Sequence, residues 1–168
     1  FTPKPIKGNP YASVKIIEFS DLQCPACGAA HPVVKKIISE YETKVSLEYK
    51  HFPLTSIHLF AFDAALASEC ANDQGKFWEY VDVAFENQNA LQKKNLKTYA
   101  EQIGLDTEKF DVCLASGVKK KYVSADMSEG IGKNVQSTPS FFINGKPLGS
   151  WQYEKFKAAL DAALAEAR

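Results

Sequence analysis

The chain has 168 residues, 45% of them hydrophobic, and its 20 basic and 20 acidic side chains leave a formal net charge of zero. That length suits one domain with room for an inserted subdomain. A neutral balance leaves no electrostatic footprint for nucleic acid or an anionic lipid surface, and no apolar run approaches the roughly 20 residues of a membrane-spanning helix.

Residues 1–12 (FTPKPIKGNPYA) are rich in Pro and Gly and are predicted to form an extended arm. The chain starts at Phe1 rather than Met, so a removed targeting segment is expected: a cleaved signal peptide, a trimmed anchor or an artificial boundary. Val14 to Phe19 (VKIIEF) is β-branched and nearly continuously apolar, the pattern of a central strand buried on both faces. One acid, Glu18, interrupts it. From about Cys24 to Tyr41 the pattern turns helical, with Pro32 predicted to kink or restart the helix. Val45, Leu47 and Tyr49 then alternate with Ser46, Glu48 and Lys50, as in a half-buried strand. Strand, helix and strand over residues 13–52 take a right-handed parallel crossover by default.

Ile57 to Gly132 contains no convincing strand. Leu59, Phe62, Leu66 and Cys70 recur at helical spacing before a stop at Gly75; Phe77, Val81, Ala84 and Phe85 make a second stripe. Leu96, Tyr99, Ala100 and Ile103 make a third, ended by Gly104. Asp106 is predicted as an N-cap, with Leu105 and Phe110 placed as a hydrophobic staple. Phe110, Cys113 and Leu114 share that helix's inner face, Gly117 ends it, and a fifth helix is expected over 118–131. Strand character returns at Ser140–Ile143, Asn144-Gly145 is a hairpin signal, and Lys146–Leu148 is the partner. Ser150 is predicted to cap a last helix with Tyr153, Phe156, Leu160 and Leu164 inward. The order is β-α-β, a helical insert, then β-β-α. Residues 1–54 and 133–168 are therefore expected to form one α/β domain, and 55–132 an inserted all-helical subdomain.

The four cysteines are Cys24, Cys27, Cys70 and Cys113. An even count is compatible with two disulfides and an oxidising compartment. Cys24 and Cys27 fall where the first strand gives way to the helix, and three readings compete for them. A structural zinc site needs four N or S ligands, and Cys70 and Cys113 stand alone, far apart in sequence. A c-type haem site needs His after the second cysteine, where Gly28 stands. A redox dithiol fits both residues. At a helix N-terminus, unpaired N–H groups and the helix dipole favour the Cys24 thiolate. Cys27, one turn on, is in reach to resolve a mixed disulfide. Pro25 suits the first turn because no N–H is needed there.

The stretches "EFSDLQCPACGAAHP", "ASECANDQGKFWEY", "YAEQIGLDTEKFDVCL" and "STPSFFINGKPLGSW" together resemble the DsbA-like branch of the thioredoxin-fold thiol–disulfide oxidoreductases. The resemblance runs from Val14 over nearly the whole chain, and CPAC with Thr138-Pro139 before a strand, Asn-Gly and strand is its most specific part. It implies a thioredoxin fold and a cis bond at Thr138–Pro139, packed beside the sulfurs, with the Thr138 backbone pairing with an extended substrate. It also implies a buried acid behind the site, which makes Glu18 a proton relay to Cys27 with a pKa raised by desolvation.

The Pro25–Ala26 dipeptide tunes the pair; the most oxidising members carry His at the Ala26 position, which bears on the oxidant's strength. No cofactor beyond the Cys24–Cys27 pair and no metal are expected. Cys70 and Cys113 face the insert's core in the predicted register, so a structural disulfide is expected between them. His31 is read as a helix-surface residue; His51 and His58 receive no role.

The leading functional expectation is an extracytoplasmic, periplasm-type oxidase of reduced or unfolded substrate proteins, reset by a membrane-bound redox partner. Reduction or isomerisation is the alternative within the class. A dimeric isomerase would carry an N-terminal dimerisation domain, for which twelve residues leave no room, so a monomer is expected. From other classes come a copper or zinc carrier using Cys24, Cys27 and His31, and a redox-inactive peptide-binding module. Soft copper handling often recruits methionine, and Met127 is the only one.

Overall fold

A computed structural model describes residues 1–167. The apolar run at Val14–Ser20 forms a strand, β2, at the centre of a five-stranded sheet. Its neighbours are β3 (Val45–His51), parallel, and β4 (Ser140–Ile143), antiparallel. The edges are β1 (Lys7–Gly8) beside β3 and β5 (Lys146–Pro147) beside β4. Helix α1 (Pro25–Tyr41) makes the crossover between β2 and β3. Five helices follow in the insert: α2 (Ala61–Asn72), α3 (Phe77–Glu86), α4 (Lys93–Gln102), α5 (Thr107–Ser116) and α6 (Lys120–Gly132). The hairpin of β4 and β5 turns through Asn144 and Gly145, both at positive φ (48° and 83°), which suits these two residue types. Helix α7 (Tyr153–Glu166) closes the chain. This is a mixed α/β thioredoxin fold.

The larger of two apolar clusters runs continuously from the sheet into the helices. Val14, Ile16, Leu47 and Ile143 of the sheet belong to it with Val34 and Ile37 of α1 and Phe156 and Leu160 of α7. It continues through Phe77, Tyr80, Leu96 and Phe110 of the insert. Burying side chains of this size stabilises by roughly 1.5–3 kcal/mol each, as an upper bound on area.

Several local details depart from the pattern reading. Helix α1 runs through Pro32 without interruption; proline removes only the bond to the Gly28 carbonyl, and the helix continues on both sides. Lys15 is exposed, so β2 is not dry along its whole length. Leu59 lies outside α2 and is 78% exposed. The segment before α2 is held instead by its backbone, Leu54 N–H donating to Asp21 Oδ2 and Phe60 N–H to Gln23 Oε1. Ser150 does not cap α7: its Oγ accepts from the Gln152 N–H, one step outside the helix. The N-terminal arm is not free either. Trp78 Nε1 donates to the Pro5 carbonyl and Asn72 Nδ2 to that of Thr2. Asp106 does cap α5, accepting from the Lys109 N–H, and Gly117 ends that helix at φ 68°.

Candidate active site

Cys24 is the N-cap of α1, with extended backbone at φ −71° and ψ 123° and Pro25 in the first turn. Both ends of its peptide are held. Its N–H donates to the Asp21 carbonyl, and its own carbonyl accepts from the Gly28 N–H, each at 3.1 Å. Cys27 is wholly buried, Cys24 is 6% exposed, and both are free thiols. Across the site the Thr138–Pro139 bond is cis, and Cys24 Sγ lies 3.5 Å from the Thr138 carbonyl. The Asp21 N–H points at Cys27 Sγ from 3.4 Å.

These contacts split the two sulfurs in acidity. A hydrogen bond from the Cys27 thiol is the largest influence on Cys24; Thr138 and the backbone N–H groups of Cys27 and Ala26 add to it and outweigh burial. The Cys24 thiol is lowered to about 5. Burial, and then the neighbouring Cys24, push the Cys27 thiol far above the ordinary range. Cys24 is thus the thiolate of the pair at neutral pH, and Cys27 keeps its proton.

Glu18 is 1% exposed on β2, in register with Tyr49 of β3 and Phe141 of β4. Burial raises its carboxyl to about 8, and the nearby Ser20 hydroxyl offsets part of that. Ser20 and Tyr49 carry no role in the sequence reading, yet they complete the polar patch beneath the dithiol. Ser20, two residues on from Glu18, projects from the same strand face and favours the thiolate of Cys27. The Tyr49 hydroxyl is pushed well above its usual range by burial first and then by the charge of Glu18. Glu18 Oε2, Ser20 Oγ, Tyr49 OH and Thr138 Oγ1 are all buried with no hydrogen-bond partner.

One histidine departs from expectation, and the other two gain partners. His31 is 8% exposed rather than on the surface. Helix α3 packs over α1, bringing Asp82 Oδ1 to 2.7 Å from His31 Nε2 and Phe85 against the ring. His58 Nδ1 is 2.7 Å from Asp21 Oδ2, and His51 Nε2 is 2.7 Å from Glu69 Oε2 in the core. Asp21 carries no role in the sequence reading; its Oδ1 accepts from the Gln23 N–H at 2.8 Å, an Asx turn that leads into the helix, and an Asp just before a helix is the local signal for it. Cys70 and Cys113 are joined as a disulfide between α2 and α5, remote from the dithiol in the chain, with Cα atoms 5.8 Å apart. Among the described residues, no group of three or more His, Cys, Asp or Glu side chains is placed to hold a metal ion.

Fold and dithiol together define a thioredoxin-fold protein with a CxxC pair at the head of its first helix. The chain belongs to the thioredoxin family, which it matches over residues 2–162. It is similar in fold to BdbD from Bacillus subtilis in its oxidised form, with a TM-score of 0.84 and 23% identity over 98% of this chain and 96% of that one. The α-DsbA1 of Wolbachia pipientis superposes with a TM-score of 0.83 and 24% identity, over 99% and 95% of the two chains. In sequence the chain is 35% identical over 164 residues to the Na(+)/H(+) antiporter NhaA 1 of Salinispora arenicola. That match takes in 97% of this chain and 25% of the antiporter, so the chain spans about a quarter of the length of the curated relatives it matches. No described helix is long and apolar enough to cross a membrane.

Proposed function

We propose that this protein oxidises the thiols of reduced or unfolded substrate proteins outside the cytoplasm. The observation that carries the reading is the acidity split: a Cys24 thiol lowered to about 5 beside a Cys27 held protonated. A stabilised thiolate is a good leaving group, and stabilising the reduced state makes its disulfide oxidising.

The cycle starts from the Cys24–Cys27 disulfide. A substrate thiolate attacks Cys24 Sγ, the Sγ–Sγ bond breaks, and Cys27 leaves as a thiolate that takes a proton from Glu18. The second substrate thiolate attacks the substrate sulfur of the mixed disulfide and expels the Cys24 thiolate. The substrate gains a disulfide, and two electrons stay on the dithiol. A membrane-bound redox partner removes them and restores the disulfide. The Thr138 backbone, beside the cis Pro139, aligns the substrate strand, and Glu18 regains its proton from solvent.

An oxidising compartment agrees with the Cys70–Cys113 disulfide, because such bridges persist there and are rare in reducing cytosol. Residues 55–132 act as an inserted helical subdomain on the thioredoxin-fold residues 1–54 and 133–168, and the working unit is a monomer. The likeness to the antiporters rests on a quarter of their length, and it is the thioredoxin-fold quarter; ion transport is not part of this reading.

The test is trapping. Cys27→Ser should accumulate mixed disulfides through Cys24, and Cys24→Ser should form none and lose activity. Adducts carried by Cys27 in the Cys24→Ser protein would reverse the assignment of the substrate-bonding and leaving sulfurs.

A further inference from the structure

Gln88, in the turn after α3, reaches across to the dithiol from the helical insert. Its Nε2 donates to the carbonyl of Cys24 at 2.8 Å and to that of Leu22 at 3.0 Å. Both partners are acceptors, so the amide has one workable orientation, with Oε1 turned toward Gly28. A Cβ on Gly28 would lie 2.4 Å from that oxygen, and the three atoms nearest to it all belong to Gln88. Glycine at this position is what lets the amide lie flat on the first turn of α1. The base of the Gln88 side chain is itself fixed. Asn87 Nδ2 bonds back to the Val83 carbonyl, the Ala90 N–H donates to Asn87 O, and the Tyr99 hydroxyl holds the Ala90 carbonyl at 2.6 Å.

We infer that Gln88 is a positioning residue for the redox step: its amide fixes the Cys24 carbonyl so that the sulfur stays aligned with the donors that stabilise its thiolate. Those donors are the Cys27 thiol and the N–H groups of Ala26 and Cys27, and all depend on how Cys24 is rotated at the head of α1. The Gly28 N–H holds the Cys24 carbonyl along the helix axis, and Gln88 holds it from the side. The insert is thereby a structural part of the dithiol, because it supplies the only side chain among the described residues that bonds the Cys24 backbone. This inference rests on the proposed role of Cys24 as the sulfur that bonds substrate and leaves as a thiolate.

The Cys24 pKa, read from thiolate absorbance and from the pH profile of alkylation, is the measurement. It does not depend on the direction of exchange in the cell. Gln88→Ala should raise the Cys24 pKa by about one unit, approaching a tenfold loss of thiolate well below the parent pKa, and lower the reduction potential in step. Gly28→Ala should do the same by displacing the amide. In the double variant the two shifts should not sum, since the added Cβ then fills the space Gln88 has left. If Gln88→Ala fails to fold, Gln88→Glu keeps the volume while replacing the donor nitrogen, and it should shift the pKa in the same direction. A Gln88 variant with the parent's pKa and potential, or shifts that add in the double variant, would overturn the assignment. A parent protein whose Cys24 alkylates like a free thiol would instead remove the acidity split on which the proposed function stands.

Discussion

At the scale of single residues, Glu18 carries the sharpest conflict between stability and chemistry. An acid in an apolar strand is visible in the sequence. Ser20 and Tyr49 were not, because a serine at a strand end and an alternating tyrosine look ordinary until the register of β2 and β3 brings them together. The Glu18 carboxyl moves from 4.5 to about 8 because burial disfavours its charge. Between those values the folded state holds a proton that the unfolded chain has lost, so stability falls as pH rises through the window. At pH 7 the penalty is on the order of 3 kcal/mol, taking about 1.4 kcal/mol per unit. Glu18→Gln removes the ionisable group at nearly constant shape. It should be more stable than the parent at pH 7, by roughly 2–3 kcal/mol, and the gap should close below pH 4.5. Urea unfolding of the two oxidised proteins between pH 4 and 8 reads this directly. Thiol exchange should slow in the same variant, and its inflection near pH 8 should vanish. Exchange rates that overlay the parent's from pH 5 to 9 would mean that Glu18 relays no proton.

At the scale of elements, α1 sets how oxidising the pair is. Its start was legible because CPAC follows a strand and carries proline in the first turn. Its packing was not, since nothing local tells that α3 will cover His31. The same limit explains Leu59, which keeps helical spacing but falls in a segment fixed by the side chains of Asp21 and Gln23. In the reduced protein the Cys24 pKa lies below the free-thiol value of 9.0, at about 5. The stabilisation this gives is complete above pH 9, is lost as pH falls through 5, and is absent from the disulfide form. Acid should therefore narrow the advantage of reduced over oxidised protein. Ala26 gives Cys24 only a backbone N–H, whereas histidine there would add a charged imidazole. One pKa unit corresponds to about 30 mV for a two-electron couple. With reference values of roughly −120 mV for DsbA and −270 mV for thioredoxin, this pair is expected between about −130 and −200 mV. Ala26→His should raise the potential by tens of millivolts and lower the Cys24 pKa in step. Equilibration in glutathione buffers, read by alkylation, gives both potentials. A parent value near thioredoxin's would make the protein a reductant, and an unchanged potential in Ala26→His would defeat the electrostatic account.

At the scale of the whole molecule, the insert is tied to the sheet and to itself by different means. To the sheet it is joined by the shared core and by the His51–Glu69 link, and to α1 by His31–Asp82. The sequence foretold its helices from their stripes and glycine stops. It did not foretell these links, because each pairs residues that only the tertiary packing brings together. Within the insert the Cys70–Cys113 bridge staples α2 to α5 across a sequence separation of 43. Cys70 sits on an almost wholly buried helix rich in alanine, whose small side chains let its neighbours approach closely but contribute little area each. Closing a loop of that length stabilises by roughly 4 kcal/mol in the chain-entropy model. Replacing both cysteines by serine should lower unfolding stability by that order while leaving the Cys24 pKa and the exchange rate unchanged, since the bridge touches neither sulfur of the dithiol. Peptide mapping without reductant should recover the Cys70 and Cys113 peptides joined. Two alkylatable thiols at these positions in the oxidised protein would refute the bridge. A double variant whose exchange rate falls with its stability would show that the insert transmits strain to the dithiol.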